Sequence, residues 1–127
     1  MAEVRNIPGA VEIAGDVDPR AEIAHRMIDF YNDQNADAYV SLMTDDACEA
    51  MYRGEVLREG REGVRSGLKA MFAQYPHNRA DILATHVLGN TVVLYEKVAR
   101  APDGERFYVV SIYSFRGDKV ERVEFIR

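Results

Sequence analysis

Few side chains in this 127-residue sequence combine the type and the setting that chemistry needs. Glu96 and Lys97 interrupt an otherwise apolar run, Val92-Val93-Leu94-Tyr95-Glu96-Lys97-Val98. Adjacent strand residues point to opposite faces, so one of the two charges must face the interior. A buried charge is costly unless paired, and the expected partner is Arg116, Arg122 or Arg79. Asp45-Asp46 suggests paired carboxylates, but Asp at the end of a helix more simply caps and turns the backbone. Arg58, Arg61 and Arg65 would suit an anionic group, yet on a chain of formal charge −5 they read first as a solvated face. Ser111 has no His or Lys that the sequence places beside it, so a nucleophilic triad is unsupported. His25, His77 and His86 are too widely spaced for a ligand motif, and no metal site or cofactor is expected. His25, between Glu22 and Asp29, reads as a solvated, ion-paired histidine, and His77, after Pro76, as an exposed one. His86 sits in mid-strand and is the histidine with a candidate pocket role. Cys48 has no partner for a disulfide and reads as a small buried hydrophobe.

The composition bounds the functions such residues can serve. With 47% hydrophobic and 29% charged residues, the chain suits one soluble globular domain. Sixteen Lys and Arg against 21 Asp and Glu give a field that repels nucleic acid and anionic membranes, so neither is an expected partner. No apolar run approaches the ~18 residues of a membrane span. Charges at Glu3, Arg5, Glu12, Asp16, Asp18 and Arg20 break every apolar stretch near the start, so no secretory signal is expected and cytoplasmic residence is the expectation. Residues 1–19 read as an arm ahead of the domain, or as a short strand at 11–13 packing on a partner subunit.

Residues 20–127 must then form the single domain that positions these side chains. Asp18-Pro19 opens a helix, with Asp as cap and Pro at the first helical position. Ile23, Met27, Phe30 and Tyr31 make its apolar stripe. A second helix is expected over 36–43, ended by Thr44-Asp45-Asp46, then short strands at 47–52 and 56–58. A third helix runs over 61–74, with Val64, Leu68, Met71 and Phe72 at helical spacing, and Pro76 stops it. Strands follow at 79–88, 91–100, 105–115 and 119–127, broken by Gly89-Asn90, Pro102-Asp103-Gly104 and Gly117-Asp118. Short turns make consecutive strands antiparallel neighbours, so the fold class is α+β.

The helix ending in Phe30-Tyr31-Asn32, the segment Asn35-Ala36-Asp37-Ala38-Tyr39, and Leu42-Met43-Thr44-Asp45-Asp46-Ala47 carry a resemblance, as do Gly60-Arg61-Glu62-Gly63-Val64 and Gly117-Asp118-Lys119-Val120. In this order the chain resembles the nuclear transport factor 2-like superfamily, in its SnoaL-like and ketosteroid isomerase-like branch. The resemblance implies three N-terminal helices packed on a curved, mainly antiparallel sheet that forms a cone-shaped barrel with an apolar mouth.

Ketosteroid isomerases of this superfamily carry an Asp base on the first strand, a Tyr on the first helix and a buried Asp on a late strand. Aligned through Asn32, Asp45 and Asp46, those positions fall here on Met51, Met27 and, at or near, Ser111. A thioether neither takes a proton nor stabilises an oxyanion, so steroid isomerisation by that route is not expected. If Met51 faces the cone, Glu49 shares its face and is the candidate acid or base; the bland alternative is a rim carboxylate or an arginine pair. Phe107, Val109, Ser111, Tyr113 and Phe115 share a strand face, and Tyr113 could offer its phenol to a ligand. Acidic residues are frequent in the superfamily near Glu96, which makes it the inward member of the Glu96–Lys97 pair. The resemblance thus implies catalytic Glu49 and Tyr113 within a lining of Met27, Phe30, Tyr31, Met51, Phe72, His86, Glu96, Val109, Ser111 and Phe125. Limonene epoxide hydrolase-like chemistry lacks its Asp residues here. The expected function is binding of a small hydrophobic molecule, with isomerase, cyclase, dehydratase or hydrolase activity. The alternative is a non-catalytic dimerisation or association module, and a homodimer fits both.

Overall fold

A computed structural model describes residues 18–127, so the proposed arm and the strand at 11–13 lie outside the described residues. The chain begins in helix α1 (Pro19–Asn32), where the Asp18 side chain accepts a hydrogen bond from the Arg20 N–H at 2.9 Å and Pro19 fills the first turn. Its buried residues are Ala21, Ala24, Met27 and Ile28. Ile23, Phe30 and Tyr31 pack only partly against the core, because small alanines let the helix axis approach the sheet on a face rotated from the expected stripe.

Helix α2 (Ala36–Ser41) is capped by Asn35, whose side chain accepts from the Ala38 N–H. It ends two residues earlier than expected, and strand β1 (Met43–Met51) begins at once. The cause is tertiary: the Leu42 carbonyl accepts from the Val120 N–H, and Met43 pairs in parallel with Val120 on the last strand. Asp45 and Asp46 therefore lie in a strand and do not turn the chain, a correction to the sequence reading. Asp45 pairs with Arg61, and Asp46 with Arg116 and the Thr44 hydroxyl. Arg116 and then Thr44 hold the Asp46 carboxyl down at about 2.

Strand β2 (Val56–Glu59) is followed by α3 (Gly60–Gln74), which buries Val64, Leu68 and Phe72. The remaining strands are β3 (Arg79–Leu88), β4 (Thr91–Ala99), β5 (Arg106–Arg116) and β6 (Lys119–Ile126). Gly89 and Gly117 turn the β3–β4 and β5–β6 hairpins at φ of 60° and 66°, a region that glycine enters without steric cost. The six strands form one open sheet in the order β2-β1-β6-β5-β4-β3, antiparallel except for β1 with β6. The helices cover one face, and the core between them holds Met27, Met43, Leu68, Leu94, Tyr113 and Phe115. Among the described residues no helix is long and apolar enough to cross a membrane.

A bulge in β3 decides several side-chain directions. Ile82 pairs with Glu96, but Ala84, not Leu83, is opposite Tyr95. One extra residue reverses the alternation beyond it. Thr85 and Val87 consequently stand opposite the buried Leu94 and Val92 on the covered face, while His86 stands opposite Val93 on the other.

Candidate active site

The covered face and the helices form a cavity of about 120 Å³ that is partly open to solvent, with the exposed Leu57 and Arg127 at its mouth. An engineered apolar cavity of ~150 Å³ holds a benzene ring, so this space suits a single ring or a short chain. Ile28, Leu68, Met71, Val98, Val109 and Phe125 supply much of its apolar wall. Two glutamates enter from different strands, Glu49 from β1 and Glu96 from β4, and both are buried.

Glu49 is fully partnered. Arg58 donates to its Oε1, and the Tyr39 hydroxyl donates to Oε2 at 2.8 Å. The opposition of Glu49 to Arg58 in the β1–β2 pair makes this contact local. Gly67 on α3 leaves room for the Arg58 stem, since a Cβ there would come within 2.6 Å of Arg58 Cδ. The arginine-pair reading of Glu49 is therefore the one the geometry carries. Arg58, expected on a solvated face with Arg61 and Arg65, turns inward, while Arg61 and Arg65 pair with Asp45 and Asp37 at the surface.

Glu96 differs. Its Oε2 is buried with no hydrogen-bond partner among the described residues, and none of the arginines expected to pair with it does so. Burial disfavours the charged form and pushes its pKa up to about 7, against a smaller opposing pull from the Ser111 hydroxyl. Beside it, burial and the charges of Glu96 and Glu49 raise Tyr113 well above the usual phenol range. Tyr113 is thus a neutral hydrogen-bond donor, and Glu96 is a carboxyl poised to exchange a proton near neutral pH.

Eight of the expected residues line the cavity: Tyr31, Glu49, Met51, Glu96, Val109, Ser111, Tyr113 and Phe125. Met27 and Phe72 are instead buried in the core, Phe72 in an edge-to-face contact with the Tyr31 ring at 5.6 Å. Phe30 packs beside the core with Arg26 over its ring. His86 is excluded by the β3 bulge. His25 also departs from its expected ion pairs, because its Nε2 is 2.8 Å from Thr85 Oγ1, which the same bulge turns toward α1. Cys48 is only half-buried, with Arg122 Nη1 donating to its Sγ. Among the described residues, no group of His, Cys, Asp and Glu side chains is arranged to hold a metal ion.

Sequence reasoning missed Arg100, Arg127 and the Tyr39–Glu49 bond. Arg100 was legible in principle, since 96, 98 and 100 share one strand face by alternation.

Open sheet, three helices and an enclosed end together define the nuclear transport factor 2-like fold. A protein of that fold from Cytophaga hutchinsonii superimposes with a TM-score of 0.70 at 15% identity, over 90% of this chain and 93% of the other. A protein from Catenulispora acidiphila with a ketosteroid isomerase-like fold, solved with trimethylamine, gives 0.72 at 16% identity, over 84% and 85%. The family model of the SnoaL-like domain matches residues 24–123, and the chain belongs to that family. A cystatin-fold protein from Novosphingobium aromaticivorans shares 55% identity over 85% of this chain and 97% of its own, with a TM-score of 0.81. Curated proteins provide no match.

Proposed function

We propose that the cavity binds a small hydrophobic molecule and exchanges protons with it, with Glu96 as general acid or base and Tyr113 as the hydrogen-bond donor to a ligand oxygen. The observation that carries this reading is the unpartnered, buried Oε2 of Glu96 in the cavity wall. A carboxyl with a pKa near the working pH transfers protons in either direction with least penalty. A phenol that stays protonated stabilises a developing oxyanion without becoming charged itself. Such a pair serves isomerisation, cyclisation or dehydration next to a carbonyl. Glu49, held by Arg58 and Tyr39, orients Tyr39 and fixes the cavity wall. With both oxygens already accepting hydrogen bonds, Glu49 leaves proton exchange with the ligand to Glu96.

The test is a thermal-shift screen of single-ring ketones, enones and hydroxy-ketones, followed by solvent-deuterium exchange at the α-carbon of any compound that binds. Glu96→Gln should retain binding and lower exchange by about 10²-fold or more. Exchange at the native rate in that variant overturns the role of Glu96.

A second reading, association through the uncovered sheet face, has its own observation. Tyr95 and Tyr108 are exposed there and stack at 5.7 Å between ring centroids. We propose that this face pairs with a second copy of the chain. Tyr108→Glu should then shift the sedimentation coefficient from dimer to monomer, and an unchanged value rejects the pairing.

A further inference from the structure

The cavity mouth holds more positive charge than its carboxylates use. Three arginines, Arg58, Arg100 and Arg127, line the site, and Arg58 is neutralised by Glu49. Arg100 and Arg127 meet no carboxylate among the described residues. On a chain of net charge −5, two guanidinium groups with no carboxylate partner among the described residues make a locally positive rim.

Arg100 is also oriented. Its guanidinium stacks over Tyr75 at 5.3 Å and over Phe107 at 5.0 Å. Its hydrogen bonds all leave from Nη1, the shortest to Oδ1 of the buried Asn78 at 2.8 Å, the others to Tyr31 Oη and Met71 Sδ. The Nε and Nη2 donors have no protein acceptor among the described residues. Those two N–H groups form the edge of a guanidinium that takes a carboxylate with two parallel hydrogen bonds. The Arg127 guanidinium is 4.8 Å from the same Phe107 ring, so both cations share one aromatic platform. Stacking removes most of the rotamer freedom that a long cationic side chain would otherwise lose on binding.

We infer that Arg100 and Arg127 form an anion-binding rim that seats the carboxylate of a small, single-ring or short-chain carboxylic acid, whose apolar body fills the cavity. The inference rests on the small-molecule reading above and narrows its ligand class. The cavity volume sets the size of the body, and the free edge of Arg100 sets the planar head. A ligand held in this way has its carboxylate at the rim and the far end of its body, where the reading above requires an oxygen, toward Glu96 and Tyr113.

The probes are phenylacetate and hexanoate, each set against its neutral amide, with binding followed by ligand-observed NMR at about pH 6, where the probe acids are ionised. The acids should bind about tenfold or more tightly than the amides. Arg100→Gln should bring the two classes together, and Arg127→Gln, at an exposed position that does not threaten folding, should narrow the gap in part. If the amides bind as well as the acids, the anionic rim is wrong and the apolar pocket stands. If the acid preference survives both substitutions, the assignment to these arginines is wrong. If neither class binds, the small-molecule reading fails together with the inference.

Discussion

The two glutamates of the cavity are about equally buried but differ in what surrounds them. Glu49 is opposite Arg58 on the adjacent edge strand and accepts from Tyr39, so both of its oxygens have a donor. Glu96 lies between Leu94 and Val98 on the buried face of an interior strand, with one oxygen unpartnered among the described residues. A paired carboxylate repays its desolvation through Coulomb attraction and hydrogen bonds, whereas an unpaired one recovers it only by holding a proton. Equal burial therefore leaves one carboxylate held by an arginine and a phenol, and the other a group that takes up a proton near neutral pH. The division of labour follows from the edge strand β2, which brings an arginine to Glu49 and is too far along the sheet to bring one to Glu96.

The contrast can be broken most strongly at the paired end. Arg58→Ala leaves the Glu49 charge buried with Tyr39 alone and should cost about 3 kcal/mol in urea unfolding. Adding Glu49→Gln should return a large part of that loss, and strict additivity of the two substitutions would show that the pair is not coupled.

At the unpaired end the effect appears in the pH dependence. The folded-state pKa of Glu96 is raised from 4.5 to about 7, so between those values the unfolded chain has already released a proton that the folded chain retains. Stability is then undiminished by this group below about pH 4.5 and falls as pH rises through 7, by about 3 kcal/mol in all. Glu96→Gln should remove that fall. Asp46, held low by Arg116, works in the opposite sense at more acid pH, so the difference between variant and native curves is the quantity to follow. Parallel curves would contradict the unpaired state of Glu96.

Gly67→Ala sharpens the same comparison at smaller scale. Ala in place of a helix-interior Gly ordinarily gains about 1 kcal/mol. Here the new Cβ meets the Arg58 stem, so the gain should be absent and a loss of about 1 kcal/mol should replace it. In an Arg58→Ala background the ordinary gain should return. The smallest effect is expected at His86, outside the cavity: His86→Gln should change stability by less than about 0.5 kcal/mol and leave ligand binding as it was.

How much was legible varies with the distance over which each feature is decided. The Asp18-Pro19 start, the helical spacing of Val64, Leu68 and Phe72, and the glycine turns are local, and they appear in the structure as expected. The end of α2 was misplaced because the competing partner, Val120, is 77 residues beyond Met43 in the chain and invisible to local propensity. His86 was misplaced by a single bulged residue, which inverts every later side chain of β3 without leaving a mark in composition.

The sequence by itself determined the class of fold, because hydrophobic period and turn chemistry are written in neighbouring residues; the family was legible only as a resemblance of short motifs, and alternation required one inward charge at Glu96–Lys97 without choosing between the two. Tertiary structure alone decided which carboxylate is neutralised. That depends on which arginine the sheet order brings within reach, and sheet order is set by contacts between residues far apart in the chain.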